Sequence, residues 1–458
     1  MSDGGGLGAE QEGTPERGGL RAALGGLTTR GRSFLAAGVA AAVCSLLLGQ
    51  ADLLRVGLLL AALPLVCVLV LHRTRYRVAG SRTLSPARVP AAAESRVRLV
   101  IENVSRLPTG VLMLQDRVPY VLGPRPRFVL DRVEAGGRRE VSYRVRSDLR
   151  GRYPLGPLQL RLSDPFGMCE LTRSFSVADT LTVVPRTEPL PPVRLAGGAP
   201  GYGEGRQRSP ALAGEDDVIP RGYRHGDDLR RVHWRSTARY GELMVRREEQ
   251  PQKARCTVLL DTRAAAHQGA GPDSAFEWAI TAAASVAVHL LERGFSVRLL
   301  TDTGASVPGP DGTGGTESAD AAGLMLDTLA VLEHSEETGL SGAYDALRGG
   351  NEGLLVAFFG DLDEEQAAVV GRIRQRCGAA VAFVLDGDSW LPGPGGIRFS
   401  AGQMPVDERV LMLHKAGWTA LPVAYGTTLP ELWRCAADHA GAGPDRAAQS
   451  GAAAGGGA

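Results

Sequence analysis

Two uncharged apolar runs stand near the start of the chain. FLAAGVAAAVCSLLLG covers Phe34 to Gly49 and VGLLLAALPLVCVLVL covers Val56 to Leu71, with only QADLLR between them. Each run makes roughly 24 Å of helix, and flanking residues bring it near the ~30 Å of a bilayer core. The pattern predicts a transmembrane helical hairpin over residues 33–72, the alternative being a hairpin buried in a soluble protein. A second run directly after the first disfavours a cleaved signal peptide. Pro64 is tolerated where neighbouring helices satisfy the freed carbonyl. Arg17, Arg21, Arg30 and Arg32 precede the first run, and His72, Arg73, Arg75, Arg77 and Arg82 follow the second, whereas the turn holds Asp52 and Arg55. This asymmetry predicts a multi-pass protein of the inner cell membrane with both termini and the soluble domains in the cytoplasm.

The pattern then shortens to a period of two. RVRLVIEN, REVSYRVRS and LQLRLSD alternate apolar with polar positions between Gly/Pro turns. An all-β sandwich over residues 84–185 is expected. From Arg255 the rhythm changes again. RCTVLLD, FSVRLLTD, GLLVAFFGD, AAVAFVLD and TALPVAY are short buried-strand candidates. Helical stretches at Ser274–Gly294, Ala321–Glu333, Asp363–Cys377 and Asp407–Ala416 lie between them, and Leu429–His439 closes the series. Strands alternating with helices predict a doubly wound α/β domain over residues 255–440, its mostly parallel sheet covered on both faces. Residues 186–254 are a linker carrying a charged motif. Residues 1–32 and 441–458 are Gly- or Ala/Gly-rich and read as disordered ends.

Composition adds three constraints. A chain of 458 residues calls for more than one domain. A net charge of +1 argues against a protein dominated by nucleic-acid or acidic-lipid binding, although a local patch can still do either. The six cysteines are scattered without a CxxC pair, as free thiols in a reducing compartment would be.

The charged motif is RGYRHGDDLRRVHWRSTARYGELMVRREE, Arg221 to Glu249. Guanidinium forks pair bidentately with carboxylates, so Asp227, Asp228, Arg230 and Arg239 suit a partly buried ion network latching two modules together. A docking surface for a protein partner is the second reading, with Trp234 as a flat face or a buried anchor. Mutual neutralisation leaves little field for phosphates, so no nucleic acid is expected. His225, Asp227, Asp228 and His233 lack the HExxH spacing. No nucleophile elbow, Walker A or GxGxxG is present, so neither an enzyme nor a cofactor is expected.

Further along, the strand candidates end in Asp261, Asp302, Asp361 and Asp386, where open α/β sheets place their ligands. A von Willebrand factor A-like domain holds a divalent metal there through Asp-x-Ser-x-Ser. This chain reads Asp261-Thr262-Arg263-Ala264-Ala265, so the site near Asp261 and Asp361 is degenerate and no metal is expected.

The motif resembles that of the bacterial membrane-protein family DUF 58 (domain of unknown function). The resemblance is carried by Gly214, Glu215, Arg221, Tyr223, Gly226, Asp227, Asp228, Arg230, Trp234, Ala238, Arg239, Leu243, Val245, Arg246 and Glu248, with RGRYPLGP and DPFG upstream. Gly222 and His233 depart from acidic positions of the family pattern, and Thr237 interrupts its Ser-Ala-Arg. The resemblance implies a degenerate von Willebrand factor A-like domain and no settled reaction. Its implied partners are MoxR-type AAA+ ATPases and transglutaminase-like membrane proteins. A membrane-anchored scaffold or adaptor is therefore expected, with a divalent-metal-dependent ligand-binding module as the alternative.

Overall fold

The computed structural model describes residues 25–74, 78–106, 108–164, 166–175, 178–193, 220–223, 232–246, 254–307, 318–348, 352–390 and 404–441. The chain divides into two compact units, residues 1–185 and 186–458.

The first unit opens with helices α1 (Thr29–Leu48) and α2 (Ala51–Thr74). Both are long and apolar enough to cross a membrane. Thr28 caps α1 by accepting the Gly31 N–H, so the helix starts ahead of the predicted residue 33. Gly49 ends it in the left-handed conformation that glycine adopts freely. The two helices meet backbone to backbone. A Cβ on Gly38 would lie 2.6 Å from the Ala61 nitrogen, and one on Gly57 would lie 2.8 Å from the Ala42 nitrogen. Gly38 with Ala42 and Gly57 with Ala61 thus form reciprocal small-residue pairs, the contact by which helices associate in lipid.

Among the described residues ten strands follow: β1 (Val78–Ser85), β2 (Arg88–Pro90), β3 (Glu94–Asn103), β4 (Leu112–Asp116), β5 (Arg127–Leu130), β6 (Arg138–Arg146), β7 (Gly151–Leu155), β8 (Leu158–Ser163), β9 (Glu170–Phe175) and β10 (Asp179–Val184). They form sheets ordered β1-β3-β6, β2-β10-β7 and β5-β4-β8-β9. Alternate residues of all three share one core, among them Val97, Leu99, Leu114, Leu160 and Leu181. Cys67 and Val68 of α2 join that core, so the hairpin is built onto the β unit.

Arg82, grouped above with the membrane-flanking arginines, has another role. Its side chain is 2% exposed and forks onto the fully buried Asp116, donating from Nε to Oδ2 at 3.1 Å and from Nη2 to Oδ1. It also donates to the Leu155 carbonyl at 2.7 Å, and Tyr143 donates its hydroxyl to Asp116 at 2.6 Å. Burial, and then the bond to Asp116, raises the Tyr143 phenol far above its ordinary value.

In the second unit, a six-stranded sheet runs β15-β14-β13-β16-β17-β18, preceded by the short pair β11 (Pro220–Gly222) and β12 (Met244–Arg246). The strands are β13 (Arg255–Leu260), β14 (Ser296–Thr301), β15 (Ser306–Val307), β16 (Glu352–Phe359), β17 (Cys377–Leu385) and β18 (Thr419–Val423). All pair in parallel except β15, which is antiparallel at the edge. The helices are α3 (Trp234–Tyr240), α4 (Ala275–Glu292), α5 (Ser318–Val331), α6 (Ser341–Ala346), α7 (Glu364–Arg374), α8 (Val406–Lys415) and α9 (Leu429–Gly441).

Two cores flank this sheet. Val258 and Leu260 point into one with residues of α4, α5 and α9, while Leu259 points into the other with residues of α6, α7 and α8. Burial on both faces is why these strands read as unbroken apolar runs. Sequence order reverses between β13 and β16, so the carboxyl ends of those strands flank the crevice where such sheets bind ligands. The six cysteines are free, with Cys44 and Cys435 exposed and the other four buried.

Candidate functional site

The carboxyl edge of the sheet gathers Asp261, Asp302 and Asp361, one after each of β13, β14 and β16. Internal donors close all three.

Asp261 is fully buried. Arg263, itself 4% exposed, donates to it from Nε to Oδ1 at 2.9 Å and from Nη2 to Oδ2 at 2.8 Å. The same guanidinium reaches the Asp361 carbonyl at 3.0 Å and the Thr338 carbonyl at 3.3 Å. Burial works against the charge on Arg263, but the hydrogen bonds and charge of Asp261 outweigh it and hold the cation above its ordinary pKa.

Asp302, also fully buried, accepts the Thr262 N–H at 2.8 Å and the Thr262 hydroxyl on Oδ1, and the Ser335 hydroxyl on Oδ2. Ser335 bridges to Arg263 through backbone bonds, so the loop after β13 is pinned on both sides. His267 donates from Nε2 to the Asp261 carbonyl at 2.7 Å, and its ring lies 5.1 Å from that of Phe276.

Asp361 pairs with Arg409 of α8 at 2.9 Å and accepts from Gln268 at 3.4 Å. Arg409 is 4% exposed and also donates to the Gly360, Leu385 and Met404 carbonyls. Burial raises the Asp361 carboxyl, and Arg409 offsets part of that. Asp386 is raised by burial and then by neighbouring Asp388.

These residues do not fit a divalent cation. Both oxygens of Asp261 are engaged by a guanidinium, the Thr262 hydroxyl is engaged by Asp302, and Ala265 has no ligand atom. Asp261, Asp302 and Asp361 are held in a network of ion pairs and hydrogen bonds that joins loops to strands. Arg409, Ser335 and His267, all parts of it, were not singled out from the sequence.

The motif is only partly within the described residues. Glu215, Gly226, Asp227, Asp228 and Arg230 lie outside them, as do the side chains of Arg221 and Arg246. The expected network of Asp227, Asp228, Arg230 and Arg239 therefore lies largely outside the described residues, and its one described member, Arg239, is exposed. Arg221 sits on β11 opposite Val245 of β12, and Arg246 sits opposite Pro220. Tyr223 is half-buried, and its N–H extends the pairing to the Leu243 carbonyl at 2.8 Å.

Two of the three departures from the family pattern, His233 and Thr237, have local explanations. His233 caps α3, its Nδ1 accepting the Ser236 N–H at 3.2 Å, which is the acceptor role a carboxylate serves at a helix start. Thr237 accepts the Met244 N–H at 3.0 Å and ties the helix to β12. Trp234 is 71% exposed, which rules out the buried-anchor reading, and Tyr240 and Leu243 are exposed near it in sequence.

A family model described as "Protein of unknown function DUF58" matches residues 220–410. No curated protein matches the chain. Among solved structures, the CARDB domain of a Pyrococcus furiosus protein in complex with di-metal ions is 9% identical, covering 24% of this chain and 94% of that one, with a TM-score of 0.19. The sporulation control protein Spo0M of Bacillus subtilis is 11% identical over 23% of this chain and 49% of that one, with a TM-score of 0.16. A Pseudomonas fluorescens alkylpurine DNA glycosylase bound to DNA is 14% identical over 27% and 38%, with a TM-score of 0.15. Likenesses at such scores carry no weight. The likeness to the DUF58 family thus runs from the motif strand β11 into α8.

Proposed function

We propose that this chain is a membrane-anchored cytoplasmic adaptor that acts by protein–protein contact and not by catalysis. In this reading the α1–α2 hairpin spans the inner membrane with both termini in the cytoplasm, and the β unit is a sandwich at its base. The second unit is a von Willebrand factor A-like domain whose cation position is filled from within. The observation that carries the reading is Arg263 forked onto Asp261, because it leaves the first strand-end carboxylate with no free oxygen for a cation. The exposed Trp234, with Tyr240 and Leu243, offers the aromatic anchor that protein interfaces favour. A MoxR-type AAA+ ATPase is the first partner to test, and a transglutaminase-like membrane protein the second.

The full chain in lipid nanodiscs, titrated with nucleotide-free ATPase in chelator, is expected to bind with unchanged affinity when Mg²⁺ is restored. Trp234→Ala is expected to weaken binding by about 2 kcal/mol or more without lowering the melting temperature. Binding that requires the metal would favour the metal-dependent ligand-binding module instead. Absence of binding to either candidate would reject both partners.

A further inference from the structure

The DPFG turn between β8 and β9 has no part in the reading above, yet it lies against the first turn of α1. Thr28 donates its N–H to the Met168 carbonyl at 2.9 Å and its hydroxyl to the Gly167 carbonyl at 2.7 Å. Glu170 returns a bond to the Gly26 carbonyl at 2.7 Å. Gly31 is held so close that a Cβ there would stand 2.2 Å from the Met168 oxygen.

The turn is rigid. Asp164 accepts the Cys169 N–H at 2.6 Å and the Phe166 N–H at 3.1 Å, and Gly167 takes a φ of +66°. Within it Met168 and Cys169 are buried, whereas Phe166 is 59% exposed. An aromatic ring thus stands open to its surroundings on a residue whose N–H is bonded to Asp164.

The surroundings follow from α1. Arg30 and Arg32 are exposed in its first turn, and a Cβ on Gly167 would lie 3.9 Å from an Arg30 guanidinium nitrogen. Beyond Arg32 the helix carries no charge to its end at Leu48. If α1 crosses a bilayer, the boundary between headgroups and acyl chains falls at this turn, where aromatic rings and snorkelling arginines are favoured.

Resting on the membrane-anchor reading, we infer that the β8–β9 turn is a lipid contact: Phe166 inserts at the headgroup level of the bilayer that holds the hairpin, and Arg30 and Arg32 pair with anionic phospholipid headgroups. The turn then seats the β unit on the membrane surface, so that the unit is not free to swing on its helices. The ring contributes apolar contact and the arginines contribute attraction to negative lipid, a combination that holds proteins at interfaces.

The test uses the full chain with Cys44→Ala and Cys435→Ala, which removes the two exposed thiols. A nitroxide is placed in turn at Phe166→Cys, Val39→Cys in α1, or Tyr120→Cys. Tyr120 is 92% exposed in the loop after β4, whose start and not its end pairs beside the DPFG turn. The proteins are reconstituted into phosphatidylglycerol/phosphatidylethanolamine vesicles. Accessibility to oxygen relative to a water-soluble nickel chelate is then read at each site. Position 166 is expected to shift from the value at 120 toward the value at 39. Arg30→Gln with Arg32→Gln, or phosphatidylcholine vesicles, is expected to reduce that shift. A value at 166 equal to that at 120, with 39 deep in the acyl region, would overturn the lipid contact and leave the anchor standing. An aqueous value at 39 would overturn both. Equal depth of 166 in the two lipid mixtures would overturn the assignment to anionic headgroups.

Discussion

Arg263 and Asp261 stand two positions apart in the chain and face each other through a two-point fork of 2.9 and 2.8 Å, both buried at the carboxyl end of the sheet's central strand. A cation supplied by the chain thus lies against the first strand-end carboxylate.

Removing the arginine strands a buried charge, so Arg263→Ala is expected to cost about 3–5 kcal/mol. All five tryptophans, at 234, 278, 390, 418 and 433, belong to the second unit, so intrinsic fluorescence during denaturant unfolding of the full chain reads this unit selectively. The double change Arg263→Ser with Ala265→Ser returns two hydroxyls beside Asp261. It is expected to make the melting temperature rise with added Mg²⁺ or Mn²⁺, which the unaltered chain is expected not to do. No metal response in the double variant would show that the rest of the rim cannot complete a coordination shell.

The raised carboxyls of Asp361 and Asp386 set a pH dependence of definite sign. Each binds its proton more tightly folded than unfolded, so the folded state holds more protons between the ordinary carboxylate value and the raised one. Stability contributed by these groups is therefore lost as pH rises through that window and is constant above it. Fluorescence-detected melts of Asp361→Asn across the acidic range are expected to show a flatter slope than the unaltered chain. An unchanged slope would mean that Asp361 titrates normally.

In the β unit, Arg82→Met alone is expected to destabilise by about 3–5 kcal/mol, because Asp116 has no route to water. Replacing both, Arg82→Met with Asp116→Leu, is expected to recover much of the loss, since a filled apolar core removes the desolvation cost of both ions. Hydrogen exchange of β1 and β4 amides in the full chain would separate the cases. Losses that simply add would show that the two charges are not coupled.

The inner strands of the α/β unit are legible because burial on both faces writes itself as apolar runs, four of them stopped by a carboxylate such as Asp261 or Asp361. The role of Arg82 is legible from its phase in the strand, not from its place after the second apolar run. It falls on the inward register of β1 with Val78 and Leu84, and an inward cation in an alternating strand announces a buried partner. Arg409 carries the same signal at helical spacing, between Val406 and Leu413, whose side chains pack inward from α8. Its partner Asp361 is remote in sequence, so local pattern could flag the cation but not the pair. The reciprocal approach of Gly38 and Gly57 was hidden for a different reason, since small residues are so common in this chain that the spacing does not stand out. At His233 the expected acid is absent while the acceptor function survives in a ring nitrogen, which residue-type matching does not register.

The joint between Thr28 and Gly167 spans 139 positions of the chain. At synthesis rates of about 5–20 residues per second, the partner turn emerges on the order of ten seconds after the helix it locks. The first helix must therefore form and find the second while its own entry turn is still unclasped. Only when the ninth strand of the β unit has left the ribosome does the clasp close behind it.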